Sequence, residues 1–127
     1  MKLLLDTHTF LWFIDDSPLL DKTTKELLES EHDLLISVVS IWEIAIKVSI
    51  GKLQLSSPFK RFIPEQIAIN DLDLLEIKIK HLNIVADLPL HHRDPFDRLL
   101  IAQGITEKIP IISKDTAFDP YNVTRLW

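Results

Sequence analysis

Short apolar runs alternate with helical stretches along the whole chain, and that alternation leaves few folds open. Lys2-Leu3-Leu4-Leu5, Leu34 to Val38, Leu72 to Ile77 and Ile109 to Ile112 read as strands, being brief, continuous and apolar. Helical stretches lie between them. One starts at Thr7 or Thr9 and carries Phe10 to Ile14; others run over about 21–30, 39–50, 59–69, 79–88 and 95–108. The tail from Tyr121 to Trp127 has room for a last short strand. Strand–helix alternation implies parallel strands with helices packed on both faces. The expected fold class is therefore α/β, a three-layer α/β/α sandwich with a mainly parallel central sheet. With 127 residues the chain forms one domain, 1–127.

Composition removes several function classes. Two glycines exclude a Gly-rich phosphate loop. No cysteine means no disulfide and no thiolate metal site, and points to a reducing cytoplasm. No apolar run approaches the roughly 18 residues of a membrane span, and Asp6 and His8 interrupt any signal-peptide pattern, so no membrane role is expected. The net charge of -5 argues against nucleic-acid binding through overall field. It leaves room for a nuclease whose metal ions supply local positive charge.

Four acids stand at strand-to-helix junctions or in first helical turns: Asp6, Glu43, Asp97 and Asp115. Each has an ordinary structural reading beside a chemical one. Asp6 follows the first strand, where open parallel sheets place ligands, and it also suits a helix cap. Glu43 lies in the helix 39–50, which is apolar nearly all round and should be largely buried. A Ser40–Glu43 capping box and a Glu43–Lys47 pair would account for it on a surface. That pair stabilises by only about 0.2–0.5 kcal/mol, far less than burial of a lone carboxylate costs. Glu43 therefore needs a strong partner, Lys47 or a metal. Asp94-Pro95 has the form of a cap followed by proline at the first helical position, which sets Asp97 in the first turn. Asp115 follows the fourth strand as Asp6 follows the first. Carboxylates gathered at one sheet edge repel unless a cation neutralises them, and such hard oxygen donors suit Mg²⁺ or Mn²⁺.

Four blocks, in order, carry a family resemblance. They are Leu5-Asp6-Thr7-His8; Ser37 to Lys47 with Gly51-Lys52-Leu53; His92 to Gln103; and Ile112-Ser113-Lys114-Asp115 with Tyr121-Asn122-Val123. The chain resembles the PIN-domain family, and within it the VapC-type ribonuclease toxins of prokaryotic toxin–antitoxin pairs. The resemblance implies a metal-dependent endoribonuclease using Mg²⁺ or Mn²⁺, a cognate antitoxin, an RNA substrate and a homodimer. It aligns Asp6, Glu43 and Asp115 with the family's first, second and fourth acids. Asp97 aligns with the third, leaving Asp94 as cap with a supporting role. The sequence departs from the family at Gly104, where alanine is common.

Other polar residues keep two readings each. Thr7 bonds a metal-held water or caps its helix; Lys47 orients Glu43 or meets the scissile phosphate. Arg93 and Arg98 suit phosphate, while Arg98 also suits a structural acid. His91 and His92 read as solvent-exposed loop residues, with phosphate or metal contact as the other option. Trp12, Trp42 and Trp127 read as core or interface. Two rival functions stand beside the nuclease. One is a PIN fold kept as a non-catalytic binding module. The other is a receiver-type signalling domain, which lacks here its acidic pair after the first strand.

Overall fold

The computed structural model describes all 127 residues. Its elements are β1 (Lys2–Leu5), α1 (Thr7–Ile14), α2 (Lys22–Glu29), β2 (Asp33–Ser37), α3 (Val38–Ser49), α4 (Phe59–Ile69), β3 (Asp73–Leu75), α5 (Ile79–Asp87), α6 (Pro95–Glu107), β4 (Ile111–Ile112) and β5 (Arg125–Leu126), with a single 3₁₀ turn at Thr116–Phe118. The strands form one sheet in the order β3-β2-β1-β4-β5. Every pairing is parallel, with Leu4 opposite Leu35 and Ile111, and Leu5 opposite Ile36 and Ile112.

Burial follows the two-residue period of a strand covered on both sides. Leu3 and Leu5 of β1, Leu34 and Ile36 of β2, and Ile112 of β4 join one core with Phe10, Leu28, Ile44, Phe62 and Ile63. Leu4, Leu35 and Ile111 face the other way, against Val39, Leu99, Leu100, Ile101, Phe118 and Tyr121. Helices α1, α2 and α4 thus cover one face, and α6 with Val85 of α5 covers the other. Helix α3 serves both faces, through Ile44 and Val39. This is the three-layer α/β/α sandwich with a parallel sheet that the alternation predicts. No helix is long and apolar enough to cross a membrane.

Three local expectations change. The cap of α3 is Ser37, whose Oγ accepts from the Val39 N–H at 3.0 Å; Ser40 is fully buried and makes no capping box with Glu43. Both serines precede apolar helical residues, and the end of β2 at Ser37 decides between them. Of the core and interface readings of Trp42 the first falls: it is 51% exposed and sets its ring edge-on to Phe96 of α6, with centroids 4.8 Å apart. Strand β3 shrinks to three residues, an exposed edge strand.

Gln103 fastens the layers near the sheet's C-terminal edge. Fully buried on α6, it accepts from Ser37 Oγ at 2.6 Å and donates to the Glu76 carbonyl at 3.2 Å. It therefore locks α6 to the ends of β2 and β3.

Candidate metal centre

The strand order reverses beside β1: β2 and β3 lie on one side of it, β4 and β5 on the other. Open parallel sheets bind ligands in the crevice beyond the carboxyl ends of the strands at such a switch point. Asp6 leaves β1 there and Asp115 follows β4. Both line a cleft of about 210 Å³ together with His8, Trp12 and Lys114. A larger groove of about 560 Å³ lies by the end of α3, lined by Val48, Leu53, Leu55, Pro58 and Phe59. It holds no titratable side chain, so it offers no comparable chemistry.

Asp6 is 6% exposed and caps α1, its Oδ1 accepting from the Thr9 N–H at 2.8 Å. Asp115 caps the 3₁₀ turn, its Oδ1 accepting from the Ala117 N–H at 2.9 Å. Each spends one oxygen on backbone, and its other oxygen has no hydrogen-bond partner in the chain. Capping and metal binding are therefore compatible at one carboxylate.

Glu43 is held at both ends. Thr7 Oγ1 donates to its Oε1 at 2.7 Å, and Lys47 Nζ lies 3.0 Å from its Oε2. A hydrogen bond to a charged group contributes about 1.5–3 kcal/mol, which with the Lys47 pair offsets burial of the carboxylate. Lys47 is turned toward Glu43, and Thr7 spends its hydroxyl hydrogen there too.

Asp94 caps α6, accepting from the Phe96 N–H at 2.8 Å and the Asp97 N–H at 3.1 Å. Asp97 itself meets the ring of His92, Oδ2 to Nε2 at 2.7 Å. Burial pushes the Asp97 carboxyl up to about 6; the hydrogen bond from His92 pulls against this, and the charges of Asp94 and then Glu43 add to the rise. Ligand atoms of His92, Asp97 and Asp115 all lie within 4.8 Å of one another. Asp115 is thus common to the Asp97 cluster and to the Asp6 cleft, while the Glu43 charge is felt at Asp97.

Arg98 has a different setting from a phosphate binder. Nη1 donates to the carbonyls of Pro89 at 3.0 Å and His92 at 3.3 Å, and Nη2 to those of Val85 and Leu88, both at 3.3 Å. It holds the loop between α5 and α6. Arg93 remains exposed and makes no hydrogen bond or ion pair. His92 is the residue whose placement the sequence does not reveal. Nothing local separates it from His91; the clamp that turns it inward comes from Tyr121 and Arg98.

The donor set fits a divalent cation. Hard oxygens converge, Asp6 and Asp115 each carrying an unpartnered carboxylate oxygen, and the half-buried Asp97 lacks enough positive charge to stay fully ionised at mild acidity.

The PIN domain family model matches residues 3–123. The chain belongs to the PIN-domain family. No curated protein sequence matches it at a significant level. Solved structures share its fold at low identity. A chain of VapBC2 from Rickettsia felis, bound to a DNA fragment from their promoter, is 18% identical with a TM-score of 0.72, covering 99% of this chain and 98% of that one. A chain of FitAcB from Neisseria gonorrhoeae is 19% identical with a TM-score of 0.72, covering 98% and 96%. A chain of DNA-bound VapBC from Salmonella typhimurium is 15% identical with a TM-score of 0.70, covering 100% and 97%.

Proposed function

We propose that this PIN domain is a metal-dependent endoribonuclease, the toxin of a VapBC-like toxin–antitoxin pair. The observation that carries the reading is that Asp115 lines the switch-point cleft with Asp6 and also lies, with His92, within 4.8 Å of the Asp97 ligand atoms, where the Glu43 charge is felt. These four would hold Mg²⁺ or Mn²⁺. When bound, such an ion supplies Lewis acidity, which lowers the pKa of water and stabilises charge on a phosphodiester's leaving oxygen.

The chain's own residues prepare the site. Thr7 and Lys47 fix the Glu43 carboxylate by both oxygens, so it need not reorganise when a cation arrives. Asp94 fixes the first turn of α6 and with it the Asp97 backbone. Lys114 and the ring faces of His8 and Trp12 border the cleft, and Arg93 stands exposed beside His92. They supply local cations and stacking surface for an RNA strand that the net charge of -5 would otherwise repel. The likeness to VapBC and FitAcB chains supports an antitoxin partner, the family resemblance implies a homodimer, and the cysteine-free chain suits a reducing cytoplasm.

The test is cleavage of total RNA by the antitoxin-free protein in Mg²⁺, Mn²⁺ or EDTA, beside Asp6→Asn. Discrete fragments that disappear in EDTA and with Asp6→Asn are expected. Equal cleavage by the variant would assign the activity elsewhere, and metal binding without cleavage would favour the non-catalytic binding module.

A further inference from the structure

We propose that His92 is a ligand of the bound cation, and that its nitrogen selects a first-row transition ion such as Mn²⁺ over Mg²⁺. The proposal rests on the metal-centre reading above and adds to it a donor outside the four acids.

Geometry comes first. His92 Nε2 is 2.7 Å from Asp97 Oδ2, and a carboxylate oxygen of Asp115 lies within 4.8 Å of both residues' ligand atoms. Donors on an octahedral ion with bonds of about 2.1 Å stand about 3 Å apart when adjacent and about 4 Å when opposed. The three atoms therefore need only small movements to share one ion.

The loop's construction is an independent observation. Tyr121 Oη accepts from the His92 N–H at 2.8 Å and donates to the Pro89 carbonyl at 2.8 Å. Arg98 binds the carbonyls of Val85, Leu88, Pro89 and His92. The His91 ring packs edge-on to Tyr121, with centroids 5.3 Å apart. Yet the loop builds little core, since Pro89, Leu90 and His91 are exposed. Two large side chains are thus committed to a loop in which, after Leu88 has met the core, the one inward polar side chain is the His92 imidazole. Such preorganisation is what a ligand requires and a solvent-facing histidine does not.

Donor chemistry then gives the selectivity. Mg²⁺ prefers oxygen and sheds water reluctantly, whereas imidazole binds transition ions well. A mixed nitrogen–oxygen set penalises Mg²⁺ relative to Mn²⁺.

The experiment is pulsed electron paramagnetic resonance of Mn²⁺ added to the tag-free full chain. The modulation from a directly coordinated ¹⁴N is expected, and it should change to the ¹⁵N pattern when the histidines carry ¹⁵N. It should vanish in His92→Gln and persist in His91→Gln and His8→Gln. Calorimetric titration should show His92→Gln weakening Mn²⁺ by about tenfold while Mg²⁺ changes by less than about threefold. Bound Mn²⁺ without nitrogen coupling overturns the proposal, leaves the carboxylate centre standing and makes His92 a positioning residue for Asp97. Coupling that survives in His92→Gln also overturns it. Failure of both ions to bind overturns both this proposal and the metal-centre reading. Should His92→Gln fold poorly, absence of the ¹⁵N pattern in the labelled unmutated chain, or its loss in His8→Gln or His91→Gln, still overturns the proposal.

Discussion

Asp97 carries a cost in stability that its proposed role as a metal ligand would explain. Its carboxyl stands at about 6 against an ordinary 3.8, because burial disfavours the charge more than the His92 bond restores it. Between about pH 4 and about pH 6 the folded chain therefore holds a proton at Asp97 that the unfolded chain has lost. The folded state binds more protons there, so this contribution to stability falls as pH rises across the window. Urea unfolding in EDTA should show that fall, and Asp97→Asn should lack it. Above pH 6 the variant should be the more stable by about 1 kcal/mol, after allowance for solvent near the group and for the altered His92 bond. Equal pH profiles for the two chains would contradict the raised Asp97 carboxyl. The two arginines of the same segment should separate as cleanly. Arg98→Ala leaves carbonyls of the 85–92 stretch without donors and should cost about 2–3 kcal/mol in unfolding experiments. Arg93→Ala should change stability by less than about 0.5 kcal/mol while weakening RNA in a filter-binding assay, since Arg93 is exposed and unpaired.

At the scale of elements, α6 carries the most consequences. Asp94 starts it, Asp97 and Arg98 fill its first turns, Gln103 locks it to β2, and Lys108 ends it in the left-handed conformation at φ 56°. Gly104, which the family resemblance would make alanine, has a packing reason. A Cβ there would stand 2.8 Å from Val123 Cγ2 and 3.0 Å from Ile111 Cδ1. The tail segment and β4 press against the helix backbone itself. Gly104→Ala gains about 1 kcal/mol of helix propensity, but overpacking costs about 1–3 kcal/mol. A net loss of up to about 2 kcal/mol is expected, and thermal or urea unfolding would reveal it. A stabilised variant would show that Val123 yields without strain. His81 of α5 is fully buried. Its Nδ1 accepts from the Lys78 N–H at 3.0 Å, so Nε2 carries the hydrogen toward Glu107 at 2.8 Å and fastens α5 to α6.

Across the whole molecule, what was legible in the sequence follows from how local its causes are. The run Leu3-Leu4-Leu5 ends at an acid, so both the buried strand and the junction carboxylate are visible together. Asp94-Pro95 announces the start of α6 by backbone chemistry alone. The partners of the acids are less accessible. Glu43 is bonded by Thr7 across 36 positions, and His92 is turned inward by Tyr121 across 29. Neither pairing follows from spacing, because each depends on which strand lies beside which. Trp42 stayed open between core and interface for a related reason: an apolar helix with few polar residues still presents one side to solvent, where the indole stands edge-on to Phe96. The sheet order explains the rest, since only the reversal beside β1 sets the ends of β1 and β4 against each other.

The most direct test is crystallographic. Crystals of the full chain soaked in Mn²⁺ should show an anomalous peak between Asp97 and Asp115, bordered by Asp6 and Glu43, and no such peak in Asp6→Asn and Asp97→Asn soaked alike. A peak only elsewhere on the surface, or a peak at this crevice unchanged by both substitutions, would contradict the assignment of these carboxylates as the metal centre.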